Sequence, residues 1–163
     1  NHGGRIAIES EPKQGTTVSI YLPARPELRE PEADEAPGAS HGSGVVLIVD
    51  DEDIIVQVSR TLLERLGYEV ICARNGAEAI RHAQRSGQEI NAAIVDVELP
   101  DMKGPVVQKR LFEIMPDLKV LVCSGFALEG PAADMLDSGA KGFLRKPFTM
   151  SELSRKLTEI LES

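Results

Sequence analysis

"VVLIVDDED", residues 45–53, runs five apolar residues straight into four consecutive acids. The apolar part does not alternate with polar residues, as a strand with one wet face would. A run apolar at every position fits a strand buried on both faces, as in a parallel sheet covered by helices. The acids at its end raise an electrostatic question, because like charges a few Å apart repel and partial burial raises the cost. A helix terminus, a metal cation or a basic side chain has to compensate.

Working outward, apolar runs rich in β-branched residues recur at Glu69–Ala73 and at residues 92–95, 118–123 and 140–144. Helical patterns lie between them. Ile55, Val58, Leu62, Leu63 and Leu66 repeat at three-and-four spacing, and Gly67 supplies a stop. "NGAE" opens a second helix, with Asn75 as cap and Glu78 reaching back. Pro105 suits the first turn of a third, and Pro131 and Gly139 bound a short fourth. "TMSE" is a capping-box pattern opening a fifth, with Leu153, Leu157, Ile160 and Leu161 on one face. Five strands alternating with five helices predict an α/β doubly wound (flavodoxin-like) five-stranded parallel sheet in the order 2-1-3-4-5, with helices on both faces.

The totals narrow the function. The 163 residues are 42% hydrophobic, enough for a core, and the formal net charge of −8 argues against nucleic-acid binding. No apolar run approaches the roughly 20 residues of a membrane span, and the start has no signal pattern, so the cytoplasm is the expected location. Two cysteines, Cys72 and Cys123, end apolar runs without metal-ligand spacing and read as buried thiols.

In a doubly wound sheet, ligands bind beyond the carboxyl ends of the strands, where strand order reverses. Asp50 and Asp51 end the first strand and Asp96 the third; Ser124 and Lys146 follow the fourth and fifth. Each has an ordinary reading alone: acids before a helix favour its dipole, Asp96 and Ser124 suit turns, and a lysine is commonly a surface charge. Converging on one edge, they point to chemistry. Clustered carboxylates suit Mg²⁺, and a carboxylate beside it can attack phosphorus to give an acyl phosphate. A lysine and a hydroxyl would bind the phosphoryl oxygens.

At these residues the sequence resembles the response-regulator receiver domain of two-component signalling, through "VDDE", "IVDVELPDMKG", "CSG" and "FLRKPF" over residues 45–163. The resemblance implies Asp96 as phosphoacceptor from a phosphohistidine. It implies Asp50, Asp51, Asp96 and the Glu98 backbone carbonyl at Mg²⁺, with Asp50 acting through water. Lys146 and Ser124 would contact the phosphoryl group, the bond before Pro147 is often cis in the family, and Ser124 and Phe143 fill the switch positions. Serine and phenylalanine stand where threonine and tyrosine are commoner. Phenylalanine cannot hydrogen-bond, and a plain core aromatic is its alternative reading.

Residues 1–23 resemble the final hairpin of the histidine kinase ATP-binding domain, with Ile6, Ile8, Val18, Ile20 and Leu22 around a turn. Residues 24–44, rich in Pro, Glu, Ala, Gly and Ser, read as a flexible linker. The chain opens on Asn1 without methionine, and the ATP-binding segments of that family have no counterpart here. The expectation is therefore the C-terminal fragment of a hybrid histidine kinase, lacking kinase catalytic elements and with no DNA-binding output. His2, His41 and His82 lack a phosphoacceptor context. Expected partners are a histidine kinase as donor, a histidine phosphotransfer protein, and a second copy in a homodimer; no nucleic acid or membrane contact is expected. The alternative is a receiver-like protein-interaction module that is never phosphorylated. An aspartyl phosphohydrolase of the haloacid dehalogenase type would want its D-x-D motif after the first strand, whereas "DVE" follows the third.

Overall fold

A computed structural model describes residues 4–11, 15–21, 42–86 and 89–162. The chain divides into two compact units, Asn1–Glu35 and Ala36–Ser163. The first holds β1 (Arg5–Glu11) and β2 (Gly15–Tyr21), an antiparallel pair in which Ile6 faces Ile20 and Ile8 faces Val18. All four side chains are exposed. The hairpin thus forms where alternation predicts it; Leu22 lies outside the described residues.

The second unit carries β3 (Val45–Val49), α1 (Asp53–Arg65), β4 (Glu69–Ala73), α2 (Gly76–Ser86), β5 (Ile90–Asp96), α3 (Gly104–Ile114), β6 (Lys119–Ser124), α4 (Pro131–Asp137), β7 (Gly142–Arg145) and α5 (Met150–Leu161). Its five strands are parallel in the order β4-β3-β5-β6-β7, the expected 2-1-3-4-5. The reason for the uninterrupted apolar runs is visible in β3. Leu47 and Val49 face a core shared with α2, α3 and α4, while Val46 and Ile48 face one shared with α1 and α5. Successive side chains point to opposite sides of a strand, so burial on both faces requires every position to be apolar.

The helix ends follow local chemistry. Thr149 and Glu152 form the capping box of α5, and Asn75 Oδ1 accepts from the Glu78 N–H at 2.8 Å. Glu78 reaches back to the N–H of Arg74, also at 2.8 Å. Gly67, at φ +93°, ends the first helical stretch in a left-handed conformation that favours glycine. The linker reading of residues 24–44 lies outside the described residues except at 42–44, and those three are tied to the sheet unit. The Gly42 N–H donates to the Leu66 carbonyl at 2.8 Å, and the Gly44 carbonyl accepts from the Glu69 N–H at 2.9 Å. A Cβ on Gly42 would fall 1.9 Å from the Tyr68 ring, so only glycine lies flat on it.

Candidate functional site

The register sets the site. Val49 pairs with Val95, Asp96 with Cys123 and Ser124 with Arg145, so the carboxyl ends of β3, β5, β6 and β7 deliver Asp50, Asp96, Ser124 and Lys146 to one edge. The Lys146 N–H donates to the Ser124 carbonyl at 2.8 Å, and the Lys146–Pro147 bond is cis. Asp50, Asp96 and Ser124 are all buried.

The two aspartates are held in the same way. Asp50 Oδ1 accepts from the Glu52 N–H at 3.0 Å, and Asp96 Oδ1 from the Val97 N–H at 2.8 Å. Their Oδ2 atoms both meet the Lys146 ammonium, at 2.6 Å for Asp50 and 2.9 Å for Asp96. Burial pushes both carboxyls above the ordinary range, and the Lys146 hydrogen bonds and charge pull back only part of that shift. Burial alone would lower the Lys146 ammonium, but its bonds to Asp50 and Asp96 outweigh this and hold it above its usual value. The ammonium therefore stays charged, and the crowding of acids is answered within the chain by a basic side chain.

A third carboxylate completes the group. Glu52 Oε1 lies 3.1 Å from Lys146 Nζ, and oxygens of Asp50, Glu52 and Asp96 all fall within 4.8 Å of one another. Hard oxygen donors so grouped fit a divalent cation such as Mg²⁺. Asp51, expected beside Asp50, is exposed and outside this group, and Glu52 stands in it instead. Along extended backbone, residues i and i+2 share a side and the one between points away. That period-two relation was the available signal for Glu52, which in the sequence read only as a helix acid. The Glu52 side chain makes no capping bond to α1, and Asp53, an acid in the first turn of that helix, pairs with Arg74 at 2.9 Å.

The remaining predicted residues take definite places. The Ser124 hydroxyl accepts from the Phe126 N–H at 3.1 Å, turned toward its own loop. Phe143 is half-buried and packs on the core under α2, α3 and α4. The Glu98 side chain pairs with Lys103 at the start of α3. Cys123 is buried with its thiol pushed up to about 12 by desolvation, which fits an inert core role; Cys72 is half-buried. His82 lies 3.9 Å from Glu78 on α2, while His2 and His41 are outside the described residues.

Two supports of the site escaped the sequence reading. Asp101, in the loop after β5, accepts from the N–H groups of Gly76 and Ala77 at 2.9 and 2.8 Å, pinning that loop to the start of α2. Gly104 lies against the backbone of Asp96: a Cβ there would stand 2.6 Å from the Asp96 carbonyl oxygen and 2.9 Å from Val97 Cα.

A family model described as the response regulator receiver domain matches residues 46–158. The chain belongs to that family. The receiver is a module of two-component signalling, and the relatives carry names from both of its arms. The sensor kinase CckA of Brucella abortus (strain 2308) is 35% identical over 171 residues, covering 98% of this chain and 18% of that protein. This chain therefore spans only a minor part of the kinase's length. The chemotaxis protein CheY of Thermotoga maritima is 31% identical over 116 residues, 71% of this chain and 95% of CheY. The receiver domain of a sensor histidine kinase from Pseudomonas aeruginosa PAO1, solved with a magnesium ion coordinated in its active-site cleft, is 27% identical. It superposes with a TM-score of 0.66, over 75% of this chain and 100% of that one. Among the described residues, no helix is long and apolar enough to cross a membrane.

Proposed function

We propose that this receiver takes a phosphoryl group from a phosphohistidine onto Asp96. The observation that carries the reading is the state of Asp96, buried at the tip of β5, with one carboxylate oxygen on a backbone N–H and the other on Lys146. A carboxylate oxygen of Asp96 attacks phosphorus, the P–N bond breaks, and its electron pair returns to the imidazole, leaving an acyl phosphate. Lys146 binds a phosphoryl oxygen, and the Ser124 hydroxyl turns from the Phe126 N–H to bind another, with Phe143 following it inward. Asp50 and Asp96 would hold Mg²⁺, joined, on the family resemblance, by Asp51 from outside the present carboxylate group and by the Glu98 carbonyl; the ion when bound would neutralise charge on the transferring oxygens.

The donor is a histidine kinase, and the acceptor downstream is a histidine phosphotransfer protein. The alignment with a sensor kinase over nearly the whole chain supports a hybrid-kinase parent, with residues 1–23 as the end of its ATP-binding domain, 24–44 as linker and 45–163 as receiver. The exposed Ile6, Ile8, Val18 and Ile20 are then the face that the rest of that domain covers. Incubation with Mg²⁺ and acetyl phosphate, read by intact mass, tests the reading. One added phosphoryl group, dependent on Mg²⁺ and lost in Asp96→Asn, is the expected result. A folded protein that gains no mass would instead make the chain a protein-interaction module.

A further inference from the structure

Lys146 covers the oxygens that the proposed chemistry needs. A lysine ammonium has three N–H donors, and here three carboxylates engage it: Asp50 at 2.6 Å, Asp96 at 2.9 Å and Glu52 at 3.1 Å. The partners are not equivalent. Asp50 and Asp96 are buried, and each has its Oδ1 fixed by a backbone N–H, so Oδ2 is the oxygen left to offer an incoming group. Both Oδ2 atoms are taken by the ammonium. A divalent cation that shares these oxygens meets a positive charge already seated on them, and the two repel. The ammonium has to give way without leaving the site, since it is to meet the phosphoryl group afterwards.

Glu52 provides the place. Its side chain is 62% exposed, against 4% and 9% for Asp50 and Asp96, and it is anchored only through its own backbone at the entry to α1. It can swing with the ammonium where the buried pair cannot. We propose that Glu52 is a positioning residue that receives the Lys146 ammonium when a cation claims Asp50 and Asp96, so that the exchange proceeds without stranding an unpaired charge. This rests on the receiver reading above and adds a residue that the reading does not use. With three carboxylates and one ammonium, the group carries a formal charge that one divalent cation neutralises, so Glu52 keeps the loaded site balanced.

Calorimetric titration of the full chain with Mg²⁺ alone tests this, independently of any phosphorylation. Glu52→Gln is expected to raise the Mg²⁺ dissociation constant roughly three- to tenfold. The hand-over is separated from a simple field effect by repeating the substitution on a Lys146→Met background. With no ammonium to receive, Glu52→Gln should then change the affinity less than about twofold. An equal loss on both backgrounds overturns the hand-over, as does an unchanged affinity in the single variant. If Lys146→Met does not fold by circular dichroism, Glu52→Asp decides. It keeps the charge but stops one methylene short, so the hand-over predicts weakened binding and a field effect predicts wild-type affinity. Wild-type protein that binds no Mg²⁺ would overturn the cation reading itself, a result distinct from failure of the Glu52 variants.

Discussion

Replacing Gly104 with alanine adds one methyl group at the first residue of α3, and the structure says where it goes. The new Cβ would lie 2.6 Å from the Asp96 carbonyl oxygen, 2.9 Å from Val97 Cα and 3.0 Å from Met135 Sδ. Ordinary contact starts near 3.4 Å, so the strand end or the helix must retreat by about 0.8 Å. Two of the three obstacles are backbone, and the third belongs to Met135, a fully buried residue of α4. Alanine is the better helix former by about 1 kcal/mol, and the position carries no positive φ, so local preference favours the variant. Overpacking opposes it by about 1–3 kcal/mol. The expected net is a loss of up to about 2 kcal/mol in urea unfolding. The larger effect falls on chemistry, because the displaced backbone carries Asp96, the proposed acceptor: a misplacement near 1 Å lowers a rate on the order of 100-fold. Single-turnover phosphorylation by acetyl phosphate, followed by intact mass, measures it. Gly125→Ala, with nothing within 4 Å of its Cβ, is the stability control. Wild-type rate and stability in Gly104→Ala would refute the argument.

Three further outcomes follow from named contacts. At Asp101, desolvation is the largest single influence and raises the carboxyl, but the N–H groups of Gly76, Ala77, Asp101 and Met102 together outweigh it and hold the carboxyl below the usual range. Their contribution is therefore complete above the ordinary aspartate pKa and lost as pH falls through the depressed one. Asp101→Ala should cost about 0.5–1 kcal/mol at pH 7, with the gap to wild type closing below about pH 4 in a series of denaturation curves. Gln108 is buried with Nε2 donating to the Met135 carbonyl at 2.8 Å and no partner in the structure for Oε1. Gln108→Met should stay within about 1 kcal/mol of wild type, whereas Gln108→Glu, which buries a charge there, should lose more than about 2 kcal/mol in the same assay. Cys123, buried and with its thiol pushed up to about 12, should resist a thiol reagent that labels the half-buried Cys72, as peptide mapping after brief exposure would report.

The sheet was legible because burial on both faces writes itself into every position of a strand. β3 and β4 fall at the expected residues. β5 begins two residues before the expected 92–95, at Ile90, because Asn91 interrupts the apolar run. The reason is tertiary: the register shifts between Val45 and Val46, and Asn91, exposed, uses its Oδ1 to accept the Val45 N–H at 2.8 Å. β7 starts at Gly142 and not at residue 140, since the Ala140 N–H closes the turn after α4 on the Met135 carbonyl. Asp50, Asp96, Ser124 and Lys146 were legible as strand-end polar residues. Asp101 was not, because its partners lie 24 and 25 residues away and no local spacing encodes them. Residues 42–44 read as linker by composition alone; their attachment depends on the Tyr68 ring, the Leu66 carbonyl just past α1 and the Glu69 N–H, which the fold brings to them.

That attachment has an architectural consequence. The backbone enters the sheet unit at Gly42–Gly44, beside Asn91 at the amino ends of the strands. Leu161, at the end of α5, lines the same cleft as Asn91 and Lys119. Entry and exit thus share one pole, and the acidic group occupies the other, a strand's length of roughly 17 Å away. A unit wired in this way behaves as a cassette. Its two connection points both lie away from the acidic group, an arrangement that suits splicing into chains of different lengths and compositions.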